Sequence, residues 1–203
     1  MGTQSSNNNV RASDPSAQIT LEKNLRSKFG DKLQDCEAQK WKEFGLTFYV
    51  SAEDAEEVFK TLKSDPDFDF SMLVDLTAVD WLDKREPRFD VVYQLMSMKH
   101  LHRLGIKIQV TEEKPEAESV VPLWASADFM EREVWDMYGI VFNNHGDLRR
   151  ILMYDEFVGH PLRKDYPITA KQPRVKLRVP ELRNTSGDMS RNELVALPSR
   201  KGS

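Results

Sequence analysis

The chain has 203 residues, a formal net charge of −4, 39% hydrophobic content and a single cysteine. That length suits one real core with appendages, and one cysteine rules out an internal disulfide or a thiolate-ligated metal or cluster site built by this chain alone. The acidic balance, with no basic stripe interleaved with aromatics, argues against nucleic-acid binding, and the apolar runs fall far short of the roughly 20 residues that span a bilayer.

Residues 1–17 lack both the apolar core of a secretory signal and the Arg-rich amphipathic character of a transit peptide, and read as a disordered lead. An α+β domain is expected over 18–138. Ile19, Leu21, Leu25 and Phe29 stand at helical spacing, with Gly30 as a stop. Residues 33–41 are polar and fit an edge strand, which makes Cys36 an ordinary thiol there. Leu46–Val50 is β-branched and aromatic and predicts a strand. Ser51 and Asp54 then open a helix whose buried side is Val58, Phe59 and Leu62, ending near Ser64-Asp65-Pro66.

Strands are expected over 70–79 and 89–98, separated by the turn Lys84–Pro87, and over 104–110, where Leu104, Ile106, Ile108 and Val110 alternate with Arg103, Gly105, Lys107 and Gln109. The order β-α-β-β-β predicts a mixed, mostly antiparallel sheet, with one parallel pair from the crossover helix and helices packed on one face. Ser119 and Ser126 with Asp128 are candidate caps for an amphipathic helix carrying Leu123, Ala127, Met130, Val134 and Met137 at four-three-four-three spacing, with Gly139 as its end. On its other side Asp128, Arg132 and Asp136 stand four apart, which predicts an acid–base–acid ladder.

The chemistry-bearing residues concentrate in 131–167. Glu131 and Glu133 are two apart on a helix and point to different sides, so structural pairing is favoured over a shared acid–base role. His145 and His160 lie in Gly- and Pro-containing loop at no metal-helix spacing, and His100 and His102 lie in a strand-to-strand turn expected to be solvent-exposed. Arg149-Arg150 and Arg163-Lys164 offer planar forks and point charges for a carboxylate or phosphate. The run 159–167 carries prolines at Pro161 and Pro167 and predicts an irregular arm that binds protein, its own domain included. No G-x-G-x-x-G or Walker A run occurs, so no nucleotide-cofactor loop is supported. From residue 168 onward eight cations face three anions, a basic tail on an acidic body that would suit an acidic partner, docking onto the body itself, or an anionic membrane surface.

These residues resemble the C-type subunit of the bacterial proton-pumping NADH:quinone oxidoreductase, the 30 kDa subunit family of respiratory complex I. The signature opens with Glu131-Arg132-Glu133, continues through Asp136 and Met137-Tyr138 to His145 and Arg149, and closes on Ile151-Leu152. Its second block is Gly159, then Pro161-Leu162-Arg163-Lys164-Asp165, an aromatic and Pro167. Leu76–Asp80 and 119–124 also look like the family, while the chain after Pro167 departs from it. The resemblance implies a structural subunit of the peripheral arm on the cytoplasmic side of the inner membrane, bound to the membrane only through the complex. It implies no cofactor in this chain, with FMN, iron–sulfur clusters and quinone held elsewhere in the complex. It also implies contact with the large hydrogenase-like quinone-site subunit of the D type and neighbouring iron–sulfur subunits, through the signature residues, Arg150 among them. The equivalent subunit of a membrane-bound hydrogenase or other donor:quinone pump shares the signature. A stand-alone metal-dependent hydrolase using His145 and His160 is the alternative of a different class.

Overall fold

A computed structural model of the chain describes residues 15–36, 46–169 and 171–173. The lead before Pro15, part of the expected edge segment, and the tail from Arg174 onward lie outside the described residues. Helix α1 (Pro15–Phe29) runs into a short 3-10 turn (Gly30–Lys32) and the edge strand β1 (Gln34–Asp35). Strand β2 (Leu46–Val50), helix α2 (Ala55–Ser64), and strands β3 (Met72–Asp80), β4 (Phe89–Met96) and β5 (Arg103–Val110) follow. A small strand β6 (Glu116–Glu118), helix α3 (Ala127–Tyr138) and strand β7 (Val141–Asn143) complete the regular structure of the described residues.

The main sheet has the order β1-β2-β5-β4-β3, and β6 pairs with β7 in a separate parallel ribbon. The predicted α+β architecture holds, and the parallel pair expected within the main sheet joins β2 to β5, with Leu46 opposite Leu104 and Val50 opposite Ile108. The chain leaving α2 therefore does not return beside β2. It crosses to the far edge, and the antiparallel meander β3-β4-β5 works back until its last strand meets β2.

Alternation sorts the sheet residues into two faces. Phe48, Leu76, Val91, Tyr93, Ile106 and their neighbours turn to one side, where Leu21, Leu25 and Phe29 of α1, Val58, Phe59 and Leu62 of α2, and Ala127 and Val134 of α3 join them in one core. Ile19, expected on the buried stripe of α1, is instead exposed, because the stripe runs through Leu21, Leu25 and Phe29 at spacing four. Phe59 bridges the layers, its ring 4.8 Å from Tyr93 and edge-on to Trp124 at 5.9 Å. Cys36 is a free, buried thiol just past β1.

Ser51 accepts the Asp54 amide at 3.1 Å just before α2, but the N-cap position of the helix is Asp54 itself, which makes no side-chain capping bond. Ser126 occupies the N-cap position of α3, likewise without a capping bond, and its hydroxyl turns to the Leu73 carbonyl on β3. Gly139 ends α3 in the left-handed region (φ +74°), and a Cβ there would lie 2.5 Å from His160 Nε2. Glycine thus serves both the turn and the close approach of the next segment. His100 and His102 are half-buried rather than solvent-exposed, because their rings stack at 5.8 Å and His100 Nε2 bonds the Pro66 carbonyl.

Candidate functional site: a charged brace between helix α3 and its following strap

The signature falls on two structural pieces, α3 and the irregular strap of residues 144–167 that folds back over its C-terminal half. Val134 and Met137 bury one face of α3 against the sheet, and the charged residues beside and opposite that face are buried too: Glu131 and Asp136 fully and Arg132 nearly so, the last two beneath the strap. Glu133, two residues from Glu131, points to solvent, so the two carboxylates do not converge on one point, as their spacing requires. The predicted ladder Asp128-Arg132-Asp136 does not form. Each member instead bonds to the strap.

Asp136 is the hub. Its Oδ2 accepts the consecutive backbone amides of Ile151, Leu152 and Met153 at 3.1, 2.9 and 2.9 Å, and Oδ1 accepts Arg150 Nη1 at 2.5 Å. Burial by itself disfavours the charged form. The amides of Met153 and Leu152, the Arg150 guanidinium and the amide of Ile151 outweigh it and hold the carboxyl below its usual range. Arg150 continues the stitch, donating through Nη2 to the carbonyls of Phe157 and Gly159 while lying over the Trp135 and Phe157 rings. Arg132 donates to the carbonyls of Arg149 and Arg150.

At the other end of the helix, Glu131 accepts the Ser119 hydroxyl and the Val120 amide, both at 2.7 Å. Burial dominates there and raises its carboxyl above the ordinary value, partly opposed by Ser119, the Val120 amide and His145. The His145 side chain is buried, with Nδ1 accepting the Asp147 amide at 3.0 Å, which places its ring hydrogen on Nε2, 3.1 Å from Asp128 Oδ1. It is a loop histidine spent in hydrogen bonds.

The second block docks the strap. His160 donates from Nδ1 to the Asp136 carbonyl at 3.0 Å; burial lowers its pKa, the more so beside Arg163 and Arg150. The Leu162 amide and Arg163 Nε cap the Met137 and Tyr138 carbonyls at the end of α3, and Arg163 lies 5.3 Å from the Phe89 ring centre. Gly159 takes φ +93° against the Tyr166 ring. The amide of Lys164 bonds Asp80 Oδ2, and Asp165 pairs with Arg88 Nη2 at 2.7 Å. Pro161 and Pro167 frame this turn. Arg149 pairs with Asp147 at the surface, and the Lys164 side chain is exposed.

Arg88 was not legible as a site residue. It is buried, forms a two-pronged pair with Asp80 at 2.9 and 3.0 Å, and also reaches Glu112. Asp80 is driven down to about 2: burial opposes its charge, but Arg88 and the amides of Lys164 and Leu82 prevail. The one available signal was the pair of charges, Arg88 and Asp90, at the mouth of an otherwise apolar strand. Asp90 makes a second, separate cluster on the opposite sheet face with Tyr49, Trp81 and Arg85. Burial above all pushes the Tyr49 phenol up to about 12.

The strap also turns apolar side chains outward. Leu152, Tyr154, Val158, Leu162 and Ile168 are exposed. Surface grooves occur elsewhere, one lined by Glu53, Ile108, Lys114, Glu116 and Asn143 and another by Val74, Asp75, Gln94 and Arg103; neither contains a signature residue. Among the described residues no group of three or more His, Cys, Asp or Glu could hold a metal ion, and no helix is long and apolar enough to cross a membrane.

Residues 48–172, more than half of the chain, match the family described as the respiratory-chain NADH dehydrogenase 30 Kd subunit. The chain is 47% identical over 146 residues to the C subunit of the NADH-quinone oxidoreductase of Geobacter metallireducens, covering 71% of this chain and 86% of that one. The same subunit of Citrifermentans bemidjiense is 46% identical over 144 residues, again with 71% and 86% covered. Among solved structures, the trypsin-resistant fragment (1–134) of Nqo5 is 32% identical with a TM-score of 0.53, covering 65% of this chain and 99% of that one. The fold also recurs, at 21% identity and a TM-score of 0.62, in a chain of an archaeal membrane-bound sulfane sulfur reductase, with 74% of this chain and 86% of that one covered.

Proposed function

The chain belongs to the respiratory-chain NADH dehydrogenase 30 Kd subunit family and is a subunit of respiratory complex I; from that premise we propose that it is a non-catalytic structural subunit of the peripheral arm, on the cytoplasmic side of the inner membrane. Its partner is the large hydrogenase-like subunit that helps to form the quinone site, with the iron–sulfur subunits beside it. FMN, the clusters and quinone reside in those other subunits, and the membrane is reached through the complex.

One observation carries the reading. The charged signature residues Arg132, Asp136, His145 and Arg150 are turned inward and hold the strap against α3, and Glu131 is turned inward to hold residues 119 and 120, while the strap turns Leu152, Val158 and Leu162 outward, with Ile168 exposed just past it. Residues that did chemistry would face a substrate, whereas these build a preformed apolar surface of the kind that marks a protein interface. The curated relatives carry the NADH-quinone oxidoreductase name, which favours that complex over a hydrogenase or other donor:quinone pump and over a stand-alone hydrolase.

A tagged chain expressed in its own cells and purified gently should bring down the large quinone-site subunit in stoichiometric amount. The purified chain alone should neither oxidise NADH nor retain flavin. Stoichiometric flavin or NADH turnover by the isolated chain would overturn the structural role.

A further inference from the structure

Arg132 is a nearly buried cation that meets no anion among the described residues. Arg88 and Arg150 each sit against a buried carboxylate. Arg132, only 9% exposed, has two backbone carbonyls, at 3.3 and 3.4 Å. These are long for charge-assisted bonds, and both Nη1 hydrogens lack an acceptor among the described residues. The carboxylates one turn away on either side are engaged: Asp128 faces His145 Nε2, and Asp136 is filled by Arg150 and three amides. The unpaired Nη1 is not sealed off from solvent, so a carboxylate arriving from outside can reach this edge of the guanidinium and pair with it.

The surroundings are those of an interface. One turn before Arg132, Phe129 is 61% exposed with its ring centre 5.6 Å from the guanidinium carbon. Two residues past the carbonyl that Arg132 holds, Leu152 is 56% exposed, so this patch is continuous with the apolar outer side of the strap. Arginine beside an exposed aromatic is the composition expected at the energetic centre of a protein–protein contact.

We propose that Arg132 and Phe129 receive an acidic side chain, an Asp or Glu flanked by apolar residues, from a neighbouring subunit of the complex. This rests on the assembly role above. A single carboxylate fits better than a phosphate, because the neighbouring charges are Glu133, exposed on the adjacent position, and Arg149, already paired with Asp147. A dianion would bring two charges to the single unpaired cation of Arg132.

Two substitutions in the assembled complex test this. Phe129→Cys introduces a thiol at an exposed position, while Cys36, the chain's one native thiol, is buried. Maleimide labelling at residue 129 should be at least about ten-fold slower in the complex than in the isolated full chain. Arg132→Lys places a primary amine where the guanidinium lay, and carbodiimide should couple it to an Asp or Glu of another subunit, mapped by peptide mass spectrometry. If that variant fails to assemble, Phe129→Lys puts an amine beside the same carboxylate and is read identically. Equal labelling of Phe129→Cys in both states, or coupling only to acids of its own chain, overturns the proposal while leaving the assembly role intact. Failure of the unsubstituted chain to co-purify with other subunits would overturn both.

Discussion

Asp136→Asn removes the charge at the centre of the brace while keeping its volume. The native carboxylate takes three consecutive amides on one oxygen and Arg150 on the other. An amide side chain has one acceptor: if its oxygen faces the loop amides, its NH2 faces the guanidinium, and the reverse orientation sets NH2 against three N–H donors. Either way Arg150, with a mostly buried side chain, loses its counter-ion, a class of loss that costs about 3–5 kcal/mol. For a domain of this size that lowers the melting temperature by about 10 °C. The damage should also be local. Hydrogen exchange in the Asp136→Asn chain should rise first at Ile151, Leu152 and Met153 and then through Gly159, whose carbonyl Arg150 holds. A variant within about 1 kcal/mol of the parent, with unchanged protection at those amides, would refute the hub assignment.

The other buried acid should behave oppositely. Glu131→Gln keeps the Val120 amide bond and lets the Ser119 hydroxyl rotate to accept, so denaturant unfolding at neutral pH should shift by less than about 1 kcal/mol, against about 2–4 kcal/mol for Glu131→Ala. His160 has its pKa lowered in the fold by burial, then by Arg163 and Arg150, so the undocked form binds more protons; strap protection measured by exchange at 160–166 should fall as pH drops below the ordinary value of 6.5. Asp80, depressed from 3.8 to about 2, has the reverse sign of charge: its stabilisation is full above 3.8 and is lost toward about 2, a window that an acid titration of Arg88→Met would flatten. Gly139→Ala should destabilise by more than the about 1–2 kcal/mol of a left-handed alanine, because its Cβ would meet His160 and Arg163; calorimetry together with exchange of the strap reads both parts.

The periodic elements were legible in the sequence because their cause is local. Alternation at Leu104–Val110 and the three-four spacing of Val58, Phe59 and Leu62 each report one buried face, and Gly139 ends its helix where its φ allows. Strand order was less accessible. A helix between two strands sets a crossover but does not say how many strand positions it skips, and here the partner of β2 is β5. The brace is legible in the sequence as composition but not as geometry. Spacing four put Asp128, Arg132 and Asp136 on one helical side, yet their partners lie 14 to 18 residues onward in a segment without periodicity. Arg88 was harder still, since its partner Asp165 lies 77 residues away and only the folded sheet places it under the strap.

The central claim is that the signature shapes a strap whose outer side is used for assembly. Its most direct test replaces Leu152, Val158 and Leu162 together with serine and measures two things on the tagged full-length chain: its melting temperature alone and the subunits it brings down. All three side chains are exposed, so the isolated chain should melt within a few degrees of the parent, as expected when surface changes cost about 0.5 kcal/mol or less each, while the large quinone-site subunit disappears from the co-purified material. Recovery of that subunit in parental amount would contradict the account.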